Sequence, residues 1–227
     1  GMQSPVTAAE IAELVREGVK RLNTEDAYYL RPMMWSADCL PGIMEADPES
    51  TRFAVCLEKI AMPLVGDMPM TVSPFCRPDP RTALTTAKAA CLYPNNARII
   101  TEAKSRGFKN ALSLDLDGYV AESATSNVFL VKDGVVRTPS HNGTFLNGVT
   151  RRRVIGLLRS NGFQVDEASL TVENFRDADE MFLTGNAAKV LPVTALDERK
   201  LQHGPVTRKV RELYWDFAHT KFEKVAL

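Results

Sequence analysis

Lys88 sits in ALTTAKAACLYPNN, among small apolar residues rather than the charges that usually surround a solvated lysine. Desolvation disfavours the ammonium, and the neutral amine attacks carbonyl groups to form a Schiff base. A lysine at the edge of an element, its head snorkelling to water, is the plainer alternative. Glu122 follows 34 residues later in YVAESATSNVF, beside the small residues Ser123, Ala124, Thr125 and Ser126. A carboxylate in such a place can approach a heterocycle closely and hold a ring nitrogen protonated, which makes the ring an electron sink. Asn127, next in the chain, could orient that carboxylate or simply close a turn, and turns favour Ser, Thr and Asn for reasons of their own.

A third candidate is LNGVTRRRV, residues 146–154. Gly148 permits close backbone approach, and Val149 and Thr150 open a helix whose free N–H groups and dipole, with the Thr150 hydroxyl, suit a phosphate. Capping by Thr150 or Asn147 would satisfy the same helix start more simply. The loop Thr184-Gly185-Asn186-Ala187-Ala188 offers further donors to the same anion. Taken together, an amine, an acid and two anion-ready loops describe a site for pyridoxal phosphate (PLP), matching its aldehyde, ring nitrogen and phosphate.

These residues need elements to position them. Thr7 and Glu10 form a T-x-x-E capping box ahead of Ile11, Leu14, Val15, Val19 and Leu22 at helical spacing. AYYLRPMMW (27–35) predicts a strand up to Pro32, and RFAVCLEKI (52–60) alternates as a half-buried strand does. Five prolines between Met62 and Pro80 predict a connection or surface loop. Residues 95–107 read as the end of a helix closed by Gly107. Two hairpins follow, 111–115 with 119–123 and 127–131 with 135–139, each turned by Asp-Gly. A helix over 149–162, strands at 180–185 and 189–196, and a helix over 205–222 opened by Pro205 complete the chain. Hairpins with helices between them predict an α+β fold with mixed sheets.

Composition sets the outer bounds. In 227 residues, 28 Lys+Arg balance 28 Asp+Glu, with 44% hydrophobic and 25% charged residues. That is the balance of a globular protein, without the broad basic field of a nucleic-acid binder. No stretch reaches the roughly 18 apolar residues of a membrane helix, and the start lacks a signal-peptide plan, so a cytoplasmic protein is expected. Cys39, Cys56, Cys76 and Cys91 form no CxxC pair and the three histidines lie elsewhere, so no metal site is expected. The motifs GxGxxG, P-loop, HExxH and GxSxG are all missing from the sequence. Gly1 before Met2 reads as a tag remnant.

The ordered segments AYYLRPMMW, TTAKAACLYPN, DLDGYVAESATSNVFLV, LNGVTRRRV and MFLTGNAAKVLPV resemble the class IV (fold type IV) PLP aminotransferases, the branched-chain amino acid aminotransferases most of all. The resemblance runs from about Ala27 to Phe217. It implies that Lys88 is the Schiff-base lysine and the acid/base at the substrate, that Tyr93 bonds the ring hydroxyl, and that Glu122 pairs with the ring nitrogen. Leu146 would pack on the ring, while Val149, Thr150 and Asn186 would hold the phosphate. Ala187 and Tyr29 would receive the substrate α-carboxylate, and Arg31 in Y-x-R-P the side-chain carboxylate of glutamate. It further implies an amino acid and a 2-oxo acid such as 2-oxoglutarate as substrates, a homodimer, a partial small domain over 1–62, a proline-rich connection over 63–80 and a large PLP-binding domain over 81–227.

The sequence departs from the family in two places. The family's chain opens with strands that bring an arginine to the phosphate, whereas this sequence starts after them; such a contact is worth about 1.5–3 kcal/mol. A truncated, non-catalytic form is therefore an alternative. The loop after Glu122 also resembles D-amino acid aminotransferases and aminodeoxychorismate lyases, whereas Y-x-R-P resembles the branched-chain enzymes.

Overall fold

The computed structural model describes residues 2–22, 27–40, 44–62 and 66–222. The chain divides into two compact units, the first ending at Pro63 and the second beginning at Leu64. Gly1 and the opening of the proline-rich segment, 63–65, lie outside the described residues.

The first unit is built from α1 (Ala8–Leu22), β1 (Tyr28–Ser36) and β2 (Thr51–Lys59). The capping box forms as its spacing predicts: Thr7 N–H donates to Glu10 Oε2 at 2.7 Å and Glu10 N–H to Thr7 Oγ1 at 3.2 Å. Gly18 lies where a Cβ would press on Leu57, so α1 packs closely on β2. β1 does not stop at Pro32. It pairs antiparallel with β2 from Tyr28↔Lys59 to Ser36↔Thr51, because a two-stranded ribbon has open edges on which a proline is tolerated.

In the second unit the order is β3 (Pro69–Val72), α2 (Tyr93–Ser105), β4 (Asn110–Leu114), β5 (Val120–Ser123), β6 (Asn127–Lys132), β7 (Val135–Pro139), α3 (Val149–Ser160), β8 (Val165–Ala168), α4 (Val172–Arg176), β9 (Glu180–Gly185), β10 (Lys189–Pro192), β11 (Ala195–Leu196), β12 (Arg199–Lys200) and α5 (Pro205–Phe222). One sheet runs β12-β11-β3-β4-β5 and the other β10-β9-β6-β7-β8, each mixing parallel and antiparallel pairs. The β6–β7 turn holds Asp133 at φ 50° and Gly134 at φ 77°, the paired positive values that a tight hairpin demands.

Alternation along the strands sorts the core into layers. Leu112, Val128, Leu130, Met181 and Leu183 fill the space between the two sheets. The intervening residues Phe129, Val131 and Phe182 turn the other way, against Val154, Ile155 and Leu158 of α3 and Val210 of α5. On the far side of the first sheet, Ile99 and Ala103 of α2 cover Ala111 and Ala124.

Two further sequence expectations need correction. The proline-rich stretch contains β3, an interior strand flanked by β11 and β4 with Met70 and Thr71 buried. Pro69 occupies its first position, where a missing N–H is tolerated. The segment 189–196 is not one strand. Pro192 ends the pairing of β10 with β9, and the chain crosses at Val193 and Thr194 to add β11 to the other sheet.

Candidate active site

Glu122 owes its position to an irregularity. In β5 it faces Ser113 while Val120 faces Leu114, a register shift that leaves Ala121 unopposed. Simple alternation would give Val120 and Glu122 one face; the bulge instead lets Val120 enter the intersheet core while Glu122 lines a cavity on the side of α2. That cavity, about 340 Å³, brings together Lys88, Tyr93, Glu122 and Leu146. Its other walls include Arg77, Asn96, Ala97, Ile100 and Ala124. The volume is in the range of small-molecule sites.

Glu122 is 7% exposed. Burial pushes its carboxyl up to about 7, against the pull of Arg77 and then Lys88, which favour the ionised form. Arg77 Nε lies 3.3 Å from Glu122 Oε1, and Asn127 Nδ2 donates to Oε2 at 3.3 Å and to the Leu146 carbonyl at 2.9 Å. Thus Asn127 links the acid to the loop that carries Leu146. Lys88 differs from the desolvated lysine expected from its neighbours. It is exposed, in an irregular segment just ahead of a 3-10 turn at Ala90–Leu92 that leads into α2, with Nζ 6.0 Å from the Tyr93 ring centroid. Small neighbours leave the cavity edge open instead of covering the amine.

The start of α3 is uncapped. Gly148 is its N-cap and no side chain bonds the first N–H groups, so Val149 and Thr150 present free donors. Asn147, a capping candidate, instead accepts from Arg151 at 3.0 Å, and Arg151 also bonds the Pro139 carbonyl and Glu167, each at 2.8 Å. A fully buried arginine therefore fixes the loop that leads into the helix. Across from it, Gly185 at the end of β9 lies against Ser126, and Gly148 lies against Asn127. The two glycines border the Ser126-Asn127 pair, so the α3 N-terminus and the Gly185–Ala188 turn stand at one place. Asn186 and Ala187 are exposed in that turn, Asn186 Oδ1 accepts from Lys189 at 3.0 Å, and the buried Thr184 hydroxyl has no partner. An uncapped helix start and an orphaned hydroxyl suit a phosphate group; an aromatic ring fits the neighbouring cavity. The residues present fit PLP.

Tyr29 and Arg31 belong to the first unit. They are two apart on β1, Arg31 sits 5.5 Å over the Tyr29 ring, and its guanidinium is 3.9 Å from Glu58. Arg77 and Asn96 were not signalled by the sequence. Arg77 stands in a proline-rich run that reads as linker, and Asn96 is one polar residue of a helix. Among the described residues no cluster of His, Cys, Asp or Glu could hold a metal ion, and no helix is long and apolar enough to cross a membrane.

An α+β unit with mixed sheets, a lysine and an acid in one cavity and an anion cradle beside it define an enzyme of the type in which an amine and a phosphorylated ring meet. Comparison with known proteins gives the family. Residues 1–196 match amino-transferase class IV, and the chain belongs to this family, with fold type IV. It is 34% identical to the branched-chain-amino-acid aminotransferase of Pseudomonas aeruginosa, over 98% of this chain and 74% of that protein. With the Escherichia coli K12 enzyme of the same name it shares 31% identity over 91% of this chain and 69% of that one. Among solved structures, an aminotransferase from Brucella abortus bound to the cofactor PLP superposes with a TM-score of 0.94 at 49% identity, covering 96% of this chain and 78% of that one.

Proposed function

We propose that this aminotransferase is PLP-dependent and moves the amino group of branched-chain amino acids to a 2-oxo acid such as 2-oxoglutarate. The observation that carries the reading is the convergence of Lys88, Tyr93, Glu122 and Leu146 on one cavity beside the uncapped start of α3. Bound PLP supplies an electron sink for charge developing at the substrate Cα. The protein's own residues do the rest. Lys88, on its open segment, reaches the cavity with its amine and takes and returns the Cα proton. Glu122, with Asn127 on one of its oxygens, keeps a facing ring nitrogen protonated. Tyr93 offers its phenol to a ring hydroxyl, and Leu146 gives an apolar wall. The N–H groups of Val149 and Thr150, the Thr150 hydroxyl and Asn186 hold the phosphate. Ala187 N–H receives the α-carboxylate. The family resemblance extends the reading to a homodimer in the cytoplasm.

The test is borohydride reduction in the presence of PLP, followed by peptide mapping. A pyridoxyl adduct on Lys88, lost in Lys88→Ala, is expected, with amino transfer from valine, leucine and isoleucine. Absence of the adduct overturns the reading. Pyruvate release from aminodeoxychorismate without an oxo-acid acceptor would mean a lyase instead.

A further inference from the structure

One buried cation at the cavity remains without a role in that chemistry. Arg77 is 3% exposed and ends among several segments. Its Nε lies 3.3 Å from Glu122 Oε1 and 3.3 Å from the Thr144 carbonyl, its NH1 group donates to Asn96 Oδ1 on α2, and its main-chain N–H bonds the Leu114 carbonyl at 2.8 Å. Arg77 is thus pinned by its main chain to the end of β4 and by its guanidinium to α2 and the loop ahead of α3. Glu122 sits inside that frame, with Asn127 on its second oxygen.

A carboxylate buried in this way takes up a proton unless a fixed positive charge faces it. Two cations face Glu122, Arg77 and Lys88. Asn127 and Asn96 carry no charge, and Tyr93 is the further titratable group on the cavity wall. The two cations are not equivalent. Lys88 is exposed on an irregular segment and, on the reading above, gives up its charge when it bonds a carbonyl or takes part in proton transfer. A guanidinium keeps its charge at every working pH and has a rigid fork of donors. We propose that Arg77 is the positioning residue of the site: it favours the ionised form of Glu122 and keeps the carboxylate aimed into the cavity while Lys88 changes charge. This rests on the PLP reading only for what Glu122 then faces; the charge relationship belongs to the chain itself.

The test follows Glu122 directly, by carboxyl 13C NMR titration of this chain before and after PLP is added, with Glu122→Gln to assign the signal. In Arg77→Gln the carboxyl should titrate at least about one pH unit higher, a tenfold fall in the ratio of ionised to protonated form at a given pH, and Arg77→Lys should restore most of it. PLP affinity should then fall more at pH 6 than at pH 8 in Arg77→Gln. Lys88→Met, a change at an exposed position, should leave Glu122 largely ionised at pH 8. The proposal fails if folded Arg77→Gln titrates as the parent does. Should Arg77→Gln not fold, Lys88→Met decides: a Glu122 that stays protonated at pH 8 in that variant shows that Lys88 holds the charge, whereas an ionised Glu122 supports Arg77. Because the first titration uses no cofactor, failure of PLP to add to Lys88 sinks the functional reading without touching this one.

Discussion

The side-chain amide of Asn127 occupies the space that a Cβ on Gly148 would need. Gly148 has φ −60° and ψ 143°, values open to any residue, so close approach and not conformation requires glycine here. The contact joins the two halves of the site. Asn127 reaches Glu122 on one side and the Leu146 carbonyl on the other, while Gly148 starts the helix whose free N–H groups face the anion cradle.

Replacing Gly148 with alanine should therefore push Asn127 off its partners. Overpacking of this kind costs about 1–3 kcal/mol, and thermal unfolding should show it, together with weaker PLP retention in equilibrium dialysis. Asn127→Ala in the same chain should relieve the overlap, so that the double variant loses less stability than the sum of the singles. Additive losses would show that the two residues do not interfere.

Glu122 sets a pH dependence. Its folded value of about 7 lies above the ordinary 4.5, so between these values the folded protein holds a proton that the unfolded chain has released. Stability should then fall as pH rises through that window and level off above it, by at most about 3 kcal/mol. Denaturant unfolding of the cofactor-free protein at a series of pH values checks this, and Glu122→Gln should flatten the slope. Asp79, held at about 2 by its hydrogen bonds to Arg81, acts with the opposite sign and only below its usual 3.8, so the two are separable.

Much of this arrangement was legible in the sequence, where a local pattern carried it. The Thr7–Glu10 box, the Asp133-Gly134 turn, the Pro205 helix start and the run from Val149 to Gly162 each depend on neighbours in the chain, and each forms where the spacing put it. What escaped depends on distant segments. β3 is short and bordered by prolines, and only β4 and β11 on either side make it a strand. The crossing at Val193 needs both sheets to exist before it has meaning. Arg77 carries no signal at all in PFCRPDP, since its partners lie at 96, 122 and 144. The exposure of Lys88 is equally hidden in the sequence, since small neighbours can leave a side chain open as readily as they can bury it.

Phe129 and Phe182 are stacked at 4.8 Å beneath α3, with interplanar angle 8°. Phe129→Ala should cost about 3–5 kcal/mol by loss of burial and the cavity left behind. Because the stack supports α3 from the face opposite the intersheet core, the loss should appear in denaturant unfolding while variant that remains folded still forms the Lys88 adduct. A variant with unchanged stability would contradict this account of the core.

The last prediction concerns Glu180, a buried acid outside the site. Its Oε1 accepts from Val206 N–H at 3.0 Å and its Oε2 from Thr207 N–H at 2.7 Å, so a side chain of β9 caps α5. The negative charge also meets the positive end of the helix dipole. Gly204 is glycine because a Cβ there would overlap the same carboxylate. Glu180→Ala leaves the buried Thr207 N–H and the part-buried Val206 N–H without a partner, which costs about 1–3 kcal/mol for each such group at most, whereas Glu180→Gln keeps one acceptor and should lose less. Hydrogen exchange at Val206 and Thr207 separates a lost cap from a general loss of stability: the first turn of α5 should open in Glu180→Ala well before Val210, which is anchored against the core. Equal acceleration at all three amides would mean that Glu180 supports the whole domain and not this helix end.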